Sequence, residues 1–241
     1  MSQSLPSSLR YPGLEAVKWA ALGLMVLDHA NLLLRPVPDA LLFMLGRMAF
    51  PLFAFVLAMR LAQRPESWRG TLRWLLVWAV ASQPIFWLAF SAIHPPELLN
   101  IFFTLALGVL LVRLLNLLDT AQRLLDKVML LTTALALVMA GATVDFGPVA
   151  VLALAVLARV GAKSPLAAAV LCGVVGVIIN IIPVWNLTAF YVLAMGALGA
   201  IPIAIWGLAS QRALPRLPRW FFYAAYPAHL LILVALHNLL K

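Results

Sequence analysis

Residues 98–118 read LLNIFFTLALGVLLVRLLNLL, a continuous apolar run of 21 residues in which Arg113 is the only charged side chain. A helix needs about 20 predominantly apolar residues to cross the hydrocarbon core of a bilayer. The apolar residues follow one another without the alternation that is typical of strands in a membrane β-barrel. The run therefore predicts a membrane-spanning α-helix.

The composition extends this prediction to the whole chain. Hydrophobic residues make up 65% of the 241 residues and charged residues 10%, and the mean hydropathy is +1.04. About a quarter of the residues of a soluble protein are charged, so this chain has too few charges to cover a soluble surface. Its one cysteine, Cys172, cannot form an internal disulfide. The composition predicts an all-α, polytopic helical membrane protein.

Nine apolar segments follow one another along the chain. Six of them reach about 20 residues, whereas the fifth, sixth and seventh are shorter. We predict nine transmembrane helices in a single integral membrane domain that covers residues 1–241. Because no small-residue cleavage site follows the first segment, we expect that segment to be retained. The segments run over 14–34, 40–61, 72–92, 98–118, 124–140, 147–160, 165–182, 188–208 and 221–240.

The distribution of basic residues predicts the orientation. The chain has 17 Lys and Arg residues against 8 Asp and Glu residues, a net charge of +9. With a cytoplasmic N-terminus and nine crossings, 14 of the 17 lie on the cytoplasmic side, Arg35 and Lys241 lie outside, and Arg47 lies within the second segment. Cytoplasmic loops are enriched in Lys and Arg, so the pattern favours an N-in, C-out topology. Topology also explains the net charge without a nucleic-acid partner.

Polar residues inside the predicted spans are concentrated towards the outer side. With a rise of about 1.5 Å per residue, Asp28 and His29 lie roughly 8–9 Å below the outer surface and Arg47 roughly 10 Å below it. A charge at the centre of a span costs about 2.5–3.5 kcal/mol on insertion scales, so we expect Asp28 and Arg47 to form an ion pair. The pair either holds two helices together or belongs to a polar cavity. A cavity is favoured because the outer half and the midplane hold further polar groups: Gln83, Asn100, Thr104, Asp145, Asn180 and His229.

Two histidines lie away from the ends of the predicted spans, His29 in the first and His229 in the ninth. Histidine is the side chain best suited to take up a proton near neutral pH, so either one is a candidate general base. Consecutive helical residues point about 100° apart, so Asp28 does not face His29 and instead orients His229 or binds its ion-pair partner. We expect His94 and His237, at the outer interface, to make only structural contacts.

Prolines occur inside several of the predicted helices. A proline in a helix interior removes a backbone donor and frees a carbonyl of the preceding turn. We therefore expect bends at Pro51, Pro84, Pro202 and Pro227.

Sequence motifs for several other functions are missing. The chain contains no Walker loop, no GxGxxG or GxSxG motif and no Cys/His cluster with zinc spacing. We therefore expect neither ATP-driven transport nor metal-dependent hydrolysis, and we assign no metal ligands.

Short motifs that do occur suggest a family. They are KWA at 18–20, MVLDH at 25–29, GRMAFPLFAF at 46–55, ASQP at 81–84, NIFFTL at 100–105 with Gly108, DFG at 145–147, and YPAHL at 226–230 preceded by Tyr223. In these motifs the chain resembles the TraX family of integral membrane proteins. It departs from the family pattern at Phe146, where Asp-Tyr-Gly is expected, and no motif is assigned between Pro148 and Trp220.

The resemblance implies an acyltransferase of the bacterial inner (cytoplasmic) membrane. The family is associated with N-terminal acetylation of conjugative pilin, so acetyl-CoA from the cytoplasm is the expected co-substrate. The expected partners are the lipid bilayer and an acyl acceptor in the cell envelope, which is either the N-terminal amine of a pilin-like protein or a glycan.

The motif residues coincide with the embedded polar groups, which suggests their roles in such a transfer. His29 or His229 is the general base, and Asp28 is a further catalytic candidate. The candidates for stabilising the oxyanion are Asn100, Gln83 and Arg47. The remaining substrate-binding candidates are Thr104, Asp145, Tyr223 and Tyr226.

Four arginines near the predicted cytoplasmic side are candidates for binding the phosphates of CoA, because guanidinium groups pair well with phosphate. The plainer alternative is that they only satisfy the positive-inside rule. The four are Arg60, Arg64, Arg69 and Arg73.

A proton-coupled small-molecule transporter is the competing function. Asp28, Arg47, His29 and His229 would then form a proton relay, and helices broken at Pro51 and Pro84 would surround a site near the midplane. No repeat relates two halves of the chain, and nine crossings do not suit a duplicated fold.

Overall fold

The computed structural model describes residues 11–181, 194–212, 214 and 217–240. Within these ranges the chain is helical, with no strand beyond an isolated bridge between Leu99 and Val144. Short 3-10 turns occur at Pro65–Ser67, Gly141–Thr143 and Met195–Gly199. The α-helices are α1 (Leu14–Leu34), α2 (Ala40–Gly46), α3 (Ala49–Gln63), α4 (Trp68–Phe90), α5 (Ile101–Thr120), α6 (Leu124–Ala140), α7 (Gly147–Lys163), α8 (Pro165–Ile181), α9 (Ala200–Ala209) and α10 (Arg219–Leu239).

The all-helical membrane architecture predicted from composition is confirmed. Six helical stretches of the described chain are long and apolar enough to cross a bilayer. Two shorter apolar helices, Pro165–Ile181 and Met195–Ala209, correspond to the seventh segment and part of the eighth, and residues 182–193 lie outside the described residues. Nine crossings therefore stay a prediction. The six long stretches are Leu14–Leu34, Ala40–Gln63, Pro65–Phe90, Ile101–Thr120, Leu124–Thr143 and Trp220–Leu239.

The second segment is not the single helix that its hydropathy predicts. It breaks at Arg47 and Met48, between α2 and α3. Gly46 ends α2 against the side chain of Asp28, where any Cβ atom would overlap the carboxylate. Asp39 caps the start of α2 by accepting a hydrogen bond from the Leu42 amide at 3.0 Å. Hydropathy alone does not indicate this break, because the residues on both sides of it are apolar.

The four prolines of the predicted spans occupy two kinds of position in the helices. Pro51 and Pro202 lie in the first turns of α3 and α9, where an amide has no intrahelical partner and proline is tolerated. Pro84 and Pro227 lie inside α4 and α10, which continue through them. The predicted break at Pro84 is therefore wrong, because α4 continues through it. The predicted break at Pro51 is present within one turn of that proline, since the second segment is interrupted at Arg47 and Met48 and a proline ring clashes with the carbonyl four residues before it.

One of the short segments, α7, lies inside the bundle. Val151, Leu154 and Leu157 of α7 are fully buried, and Gly108 of α5 lies so close to Leu154 that a Cβ would overlap it. Small residues permit such close approach between helices in a membrane. In α6, by contrast, Ala134 is the one buried residue. Inside the bundle, α7 thus packs against α3, α5 and α8.

Candidate functional site

The ion pair expected between the first two segments is present. Nη2 of Arg47, in the break between α2 and α3, donates to Oδ2 of Asp28 on α1 at 2.6 Å. Nη1 of Arg47 donates to Oδ1 of Asn180, near the end of α8, at 3.1 Å. The side chains of Arg47 and Asp28 are 15% and 11% exposed. Arg47 therefore joins three separate parts of the chain through one guanidinium group.

Two polar atoms of this ion pair remain without a hydrogen-bond partner in the described structure. They are Oδ1 of Asp28 and Nε of Arg47, and both are buried. A buried polar atom without a partner costs about 1–3 kcal/mol. The described groups thus leave this buried pair partly unsatisfied.

The two embedded histidines contact each other although they are 200 residues apart in sequence. Nδ1 of His29 lies 2.7 Å from Nε2 of His229, and Nδ1 of His229 lies 2.9 Å from the carbonyl oxygen of Ala225. The expectation that Asp28 orients His229 is not supported, because Asp28 binds Arg47 and His229 binds His29. Phe90 of α4 packs edge-on against His29, with ring centroids 5.1 Å apart.

A short turn places Asp145 beside the same region. The amide of Asp145 donates to the carbonyl oxygen of Leu99 at 2.8 Å, which joins the turn before α7 to the loop before α5. Phe146 follows with a φ angle of 63° and Gly147 with 70°. A left-handed conformation is uncommon for a residue with a side chain, and here the amide of Phe146 donates to Oδ1 of Asp145 at 3.0 Å.

These groups surround a small cavity of about 30 Å³ that is partly open to the outside. One part of its wall is polar and includes Asp28, His29, Arg47 and Asp145, whereas the rest is mainly apolar. Phe50 and Phe146 stack in this wall with ring centroids 4.5 Å apart. The complete lining is Met25, Asp28, His29, Gly46, Arg47, Ala49, Phe50, Phe53, Ile101, Asp145, Phe146 and Tyr226.

Asp145 lies in the turn between α6 and α7, outside the helices. Burial raises the pKa of its carboxyl group to about 7, while the hydrogen bond from Phe146 and the charge of Arg47 oppose that rise. Near neutral pH the cavity therefore holds both the protonated and the ionised form of this carboxyl group.

Gln83, Asn100 and Thr104 do not line the cavity. Oε1 of Gln83 accepts hydrogen bonds from the Asn100 amide at 2.9 Å and side chain at 2.7 Å, and Nε2 of Gln83 donates to the carbonyl of Leu98 at 2.9 Å. Asn100 caps α5 by accepting from the Phe102 amide at 3.0 Å. Thr104 donates to the backbone carbonyl of Asp145. These three residues thus hold the two loops next to the cavity, and the oxyanion role predicted for Gln83 and Asn100 has no geometric support.

The two tyrosines of the α10 motif have different positions. Tyr226 lines the cavity, and its ring lies 5.8 Å from that of His229 and 6.4 Å from that of His29. Tyr223 packs against Trp74, with ring centroids 6.0 Å apart, and is not part of the lining. Of the two, Tyr226 is therefore the one placed to contact a bound group.

The four arginines predicted to bind CoA lie at the far end of α3 and the start of α4. Arg60, Arg69 and Arg73 are exposed and Arg64 is half-buried, and none of them lines the cavity. Phe53 of the cavity wall precedes Arg60 by seven residues of α3, which corresponds to roughly 10 Å along the helix. The guanidinium groups of Arg69 and Arg113 both lie over the ring of Trp68, at 5.4 and 5.5 Å from its centroid.

Asn180, named above only as one of the embedded polar groups, proves to be a partner of Arg47. The sequence analysis missed Gly46, Phe50 and Phe146 as site residues, because a small or apolar residue within a span is ordinary. Among the described residues, no group of three or more His, Cys, Asp and Glu side chains could hold a metal ion.

Comparison with known proteins gives one family. A family model described as TraX protein matches residues 13–237. A protein named Protein TraX from Escherichia coli (strain K12) is 39% identical over 94 residues, which cover 39% of this chain and 36% of the relative. A second Protein TraX, from Escherichia coli, is 36% identical over 75 residues, or 31% of this chain and 30% of the relative. These alignments thus span about a third of each relative's length. No solved structure matches.

Proposed function

This chain belongs to the TraX family, and we propose that it is a membrane-embedded acyltransferase that transfers an acetyl group from acetyl-CoA to an acceptor in the cell envelope. The observation that supports this most is a hydrogen-bonded pair of histidines, one of which faces a cavity beside a buried Asp–Arg pair. A neutral imidazole in such a place can take a proton from an incoming amine or hydroxyl group.

The reaction follows from these groups. The imidazole accepts the proton of the acceptor N–H or O–H as that nitrogen or oxygen bonds to the acyl carbon. The C–S bond of the thioester then breaks, and the proton passes to the departing thiolate, which yields an acetylated acceptor and free CoA. Arg47 supports the negative oxygen of the intermediate electrostatically, because it lines the cavity and carries a positive charge.

Acetyl-CoA would bind with its phosphates at the arginine surface formed by Arg60, Arg64, Arg69 and Arg73. Three of these side chains are exposed, as contact with a charged cytoplasmic molecule requires. Since the cavity wall ends roughly 10 Å away along α3, the acyl end has to extend along this helix to reach the histidines. The residues therefore fit a donor whose charged end and reactive end are well separated.

The topology that goes with this reaction is nine crossings of the bacterial cytoplasmic membrane, with the N-terminus inside. The charge distribution of the sequence supports it, with 14 of the 17 basic residues on the cytoplasmic side and two outside. The donor then arrives at the arginine surface from the cytoplasm and the acceptor from the opposite side. The acceptor is the N-terminal amine of a pilin-like protein, as in conjugation, or a glycan.

The test is a transfer assay with protein reconstituted in nanodiscs. Acetyl-CoA carrying an isotopic label in the acetyl group is incubated with envelope material from cells that lack this protein, and free CoA and labelled products are measured. We expect CoA release that depends on the acceptor, with the label on a protein N-terminus or on a sugar according to mass spectrometry. Heat-inactivated protein is the blank, and His237→Ala, eight residues beyond His229 on the same helix, is the active control.

A transporter is the second candidate, and the break between α2 and α3 is the observation that favours it. Broken helices often surround midplane sites in carriers, and here the break places Arg47 against Asp28. Two results together would favour the transporter over the acyltransferase. The first is proton-driven uptake of a small molecule into proteoliposomes, and the second is that the protein releases no CoA with any envelope fraction.

A further inference from the structure

The carbonyl oxygen that contacts His229 determines which ring nitrogens of the two histidines carry a proton. Nδ1 of His229 lies 2.9 Å from the carbonyl oxygen of Ala225. A carbonyl oxygen only accepts hydrogen bonds, so Nδ1 of His229 carries the proton. A neutral imidazole has one N–H group, and Nε2 of His229 therefore holds a lone pair.

The contact between the two rings also fixes the tautomer of His29. Nδ1 of His29 lies 2.7 Å from Nε2 of His229, and two lone pairs cannot face each other at that distance. Nδ1 of His29 therefore donates, which leaves the lone pair of His29 on Nε2. The two rings are within 9° of parallel, with centroids 5.0 Å apart, as an in-plane N–H···N bond requires.

The two histidines also differ in what they face. His29 lines the cavity, whereas His229 is absent from its lining and is 8% exposed. His229 has both ring nitrogens engaged, one with His29 and one with Ala225. Of the two histidines, only His29 therefore has both a nitrogen lone pair without a partner among the described residues and a place in the cavity wall.

We infer that Nε2 of His29 is the catalytic base and that His229 is a positioning residue that holds His29 in the tautomer with Nδ1 protonated. The inference rests on the proposed acyl transfer. Nε2 of His29 takes the proton of the acceptor N–H or O–H as the new bond to the acyl carbon forms, and returns it to the CoA thiolate after the C–S bond breaks. While His29 is charged, its hydrogen bond to His229 becomes a charge-assisted one and is strengthened.

Amide substitutions separate the two roles, because the terminal group of Gln lies near the position of Nε2 in His and that of Asn near Nδ1. In His229→Gln the amide oxygen can still accept from Nδ1 of His29, so we expect turnover within about tenfold of the parent. His229→Asn and His229→Ala should fall at least about tenfold below His229→Gln, in kcat rather than KM, because the tautomer is no longer held. His29→Gln and His29→Asn have no base and should lose about 10²–10⁴-fold.

The opposite pattern, with His29→Asn active and His229→Gln inactive, would exchange the two roles and overturn the inference. Full activity in all of these variants would overturn it as well, because the base would then lie elsewhere.

Nitrogen NMR of protein labelled at the histidine ring nitrogens tests the same assignment without turnover. Comparison of the parent with single variants assigns the signals. We expect protonated Nδ1 and lone-pair Nε2 on both histidines of the parent, and a mixture of tautomers at His29 in His229→Ala. A protonated Nε2 on His29 in the parent would refute the inference. If the parent shows this spectrum but transfers no acetyl group, the proposed function fails while the hydrogen-bond assignment stands.

Discussion

Arg47 and Arg60 stand near opposite ends of α3, roughly 20 Å apart along its axis, and their surroundings differ completely. Arg47 is 15% exposed and binds Asp28 and Asn180, which come from α1 and α8. Arg60 is exposed and has other arginines, Arg64, Arg69 and Arg73, close by in sequence. A buried charge is stable only with partners and therefore marks a built site, whereas an exposed charge at a membrane surface also follows from topology alone.

The largest effect is expected from breaking the buried pair. Asp28→Asn or Arg47→Gln leaves one charge buried without its partner, which costs about 3–5 kcal/mol. Each variant should lower the melting temperature and the folded yield in detergent, and the double variant should recover part of the loss. Asp119→Asn, in the exposed pair with Arg159, is the control and should change little. Strictly additive losses in the double variant would show that Asp28 and Arg47 do not stabilise each other.

The break between α2 and α3 can be tested through its glycine. A Cβ atom at position 46 would overlap the side chain of Asp28, so Gly46→Ala should destabilise the protein by about 1–3 kcal/mol, as overpacking does. Gly23→Ala, on α1, is the matched control because no atom lies within 4 Å of the added Cβ. Equal melting temperatures for the two variants would contradict the close approach of Gly46 to Asp28.

The sequence predicted the ion pair because two charges at similar depth in a membrane require each other. It identified both histidines but not their contact, since 200 residues separate them and no local pattern tells which helices are neighbours. It assigned Gln83 and Asn100 to substrate, because an embedded amide looks the same in sequence whether it binds substrate or, as here, backbone carbonyls of a loop and of α4. It placed the break of the second segment at Pro51, whereas the helix is interrupted one turn earlier, at Arg47 and Met48.

The exposed arginines are expected to affect donor binding and not stability. Arg60→Gln, Arg69→Gln and Arg73→Gln should leave the melting temperature unchanged, because these side chains are exposed. Each should raise the KM for acetyl-CoA several-fold, with less effect at high salt, as for any exposed phosphate contact. Lys127→Gln, exposed at the start of α6, is the control. If it raises KM as much as the others, general surface charge and not a donor site explains the effect.

A pH dependence of stability is expected from Asp145. Its pKa is about 7 in the folded protein against a usual value of 3.8, so the folded state binds more protons than the unfolded state between these values. Stability therefore decreases as the pH rises from about 4 to about 7. Asp145→Asn cannot ionise, and the difference in melting temperature between it and the parent should grow in its favour across this range. A constant difference would show that Asp145 is ionised throughout.

The measurement that tests the central claim most directly compares acetyl transfer and thermal stability in the parent, His29→Ala and His237→Ala. We expect His29→Ala to stay folded, with a melting temperature lowered by the loss of its hydrogen bond to His229, and to transfer acetyl groups about 10²–10⁴-fold more slowly, while His237→Ala keeps both properties. Equal transfer by all three proteins, or a parent that releases no CoA with any acceptor fraction, would contradict the assignment of this cavity as an acyl-transfer site.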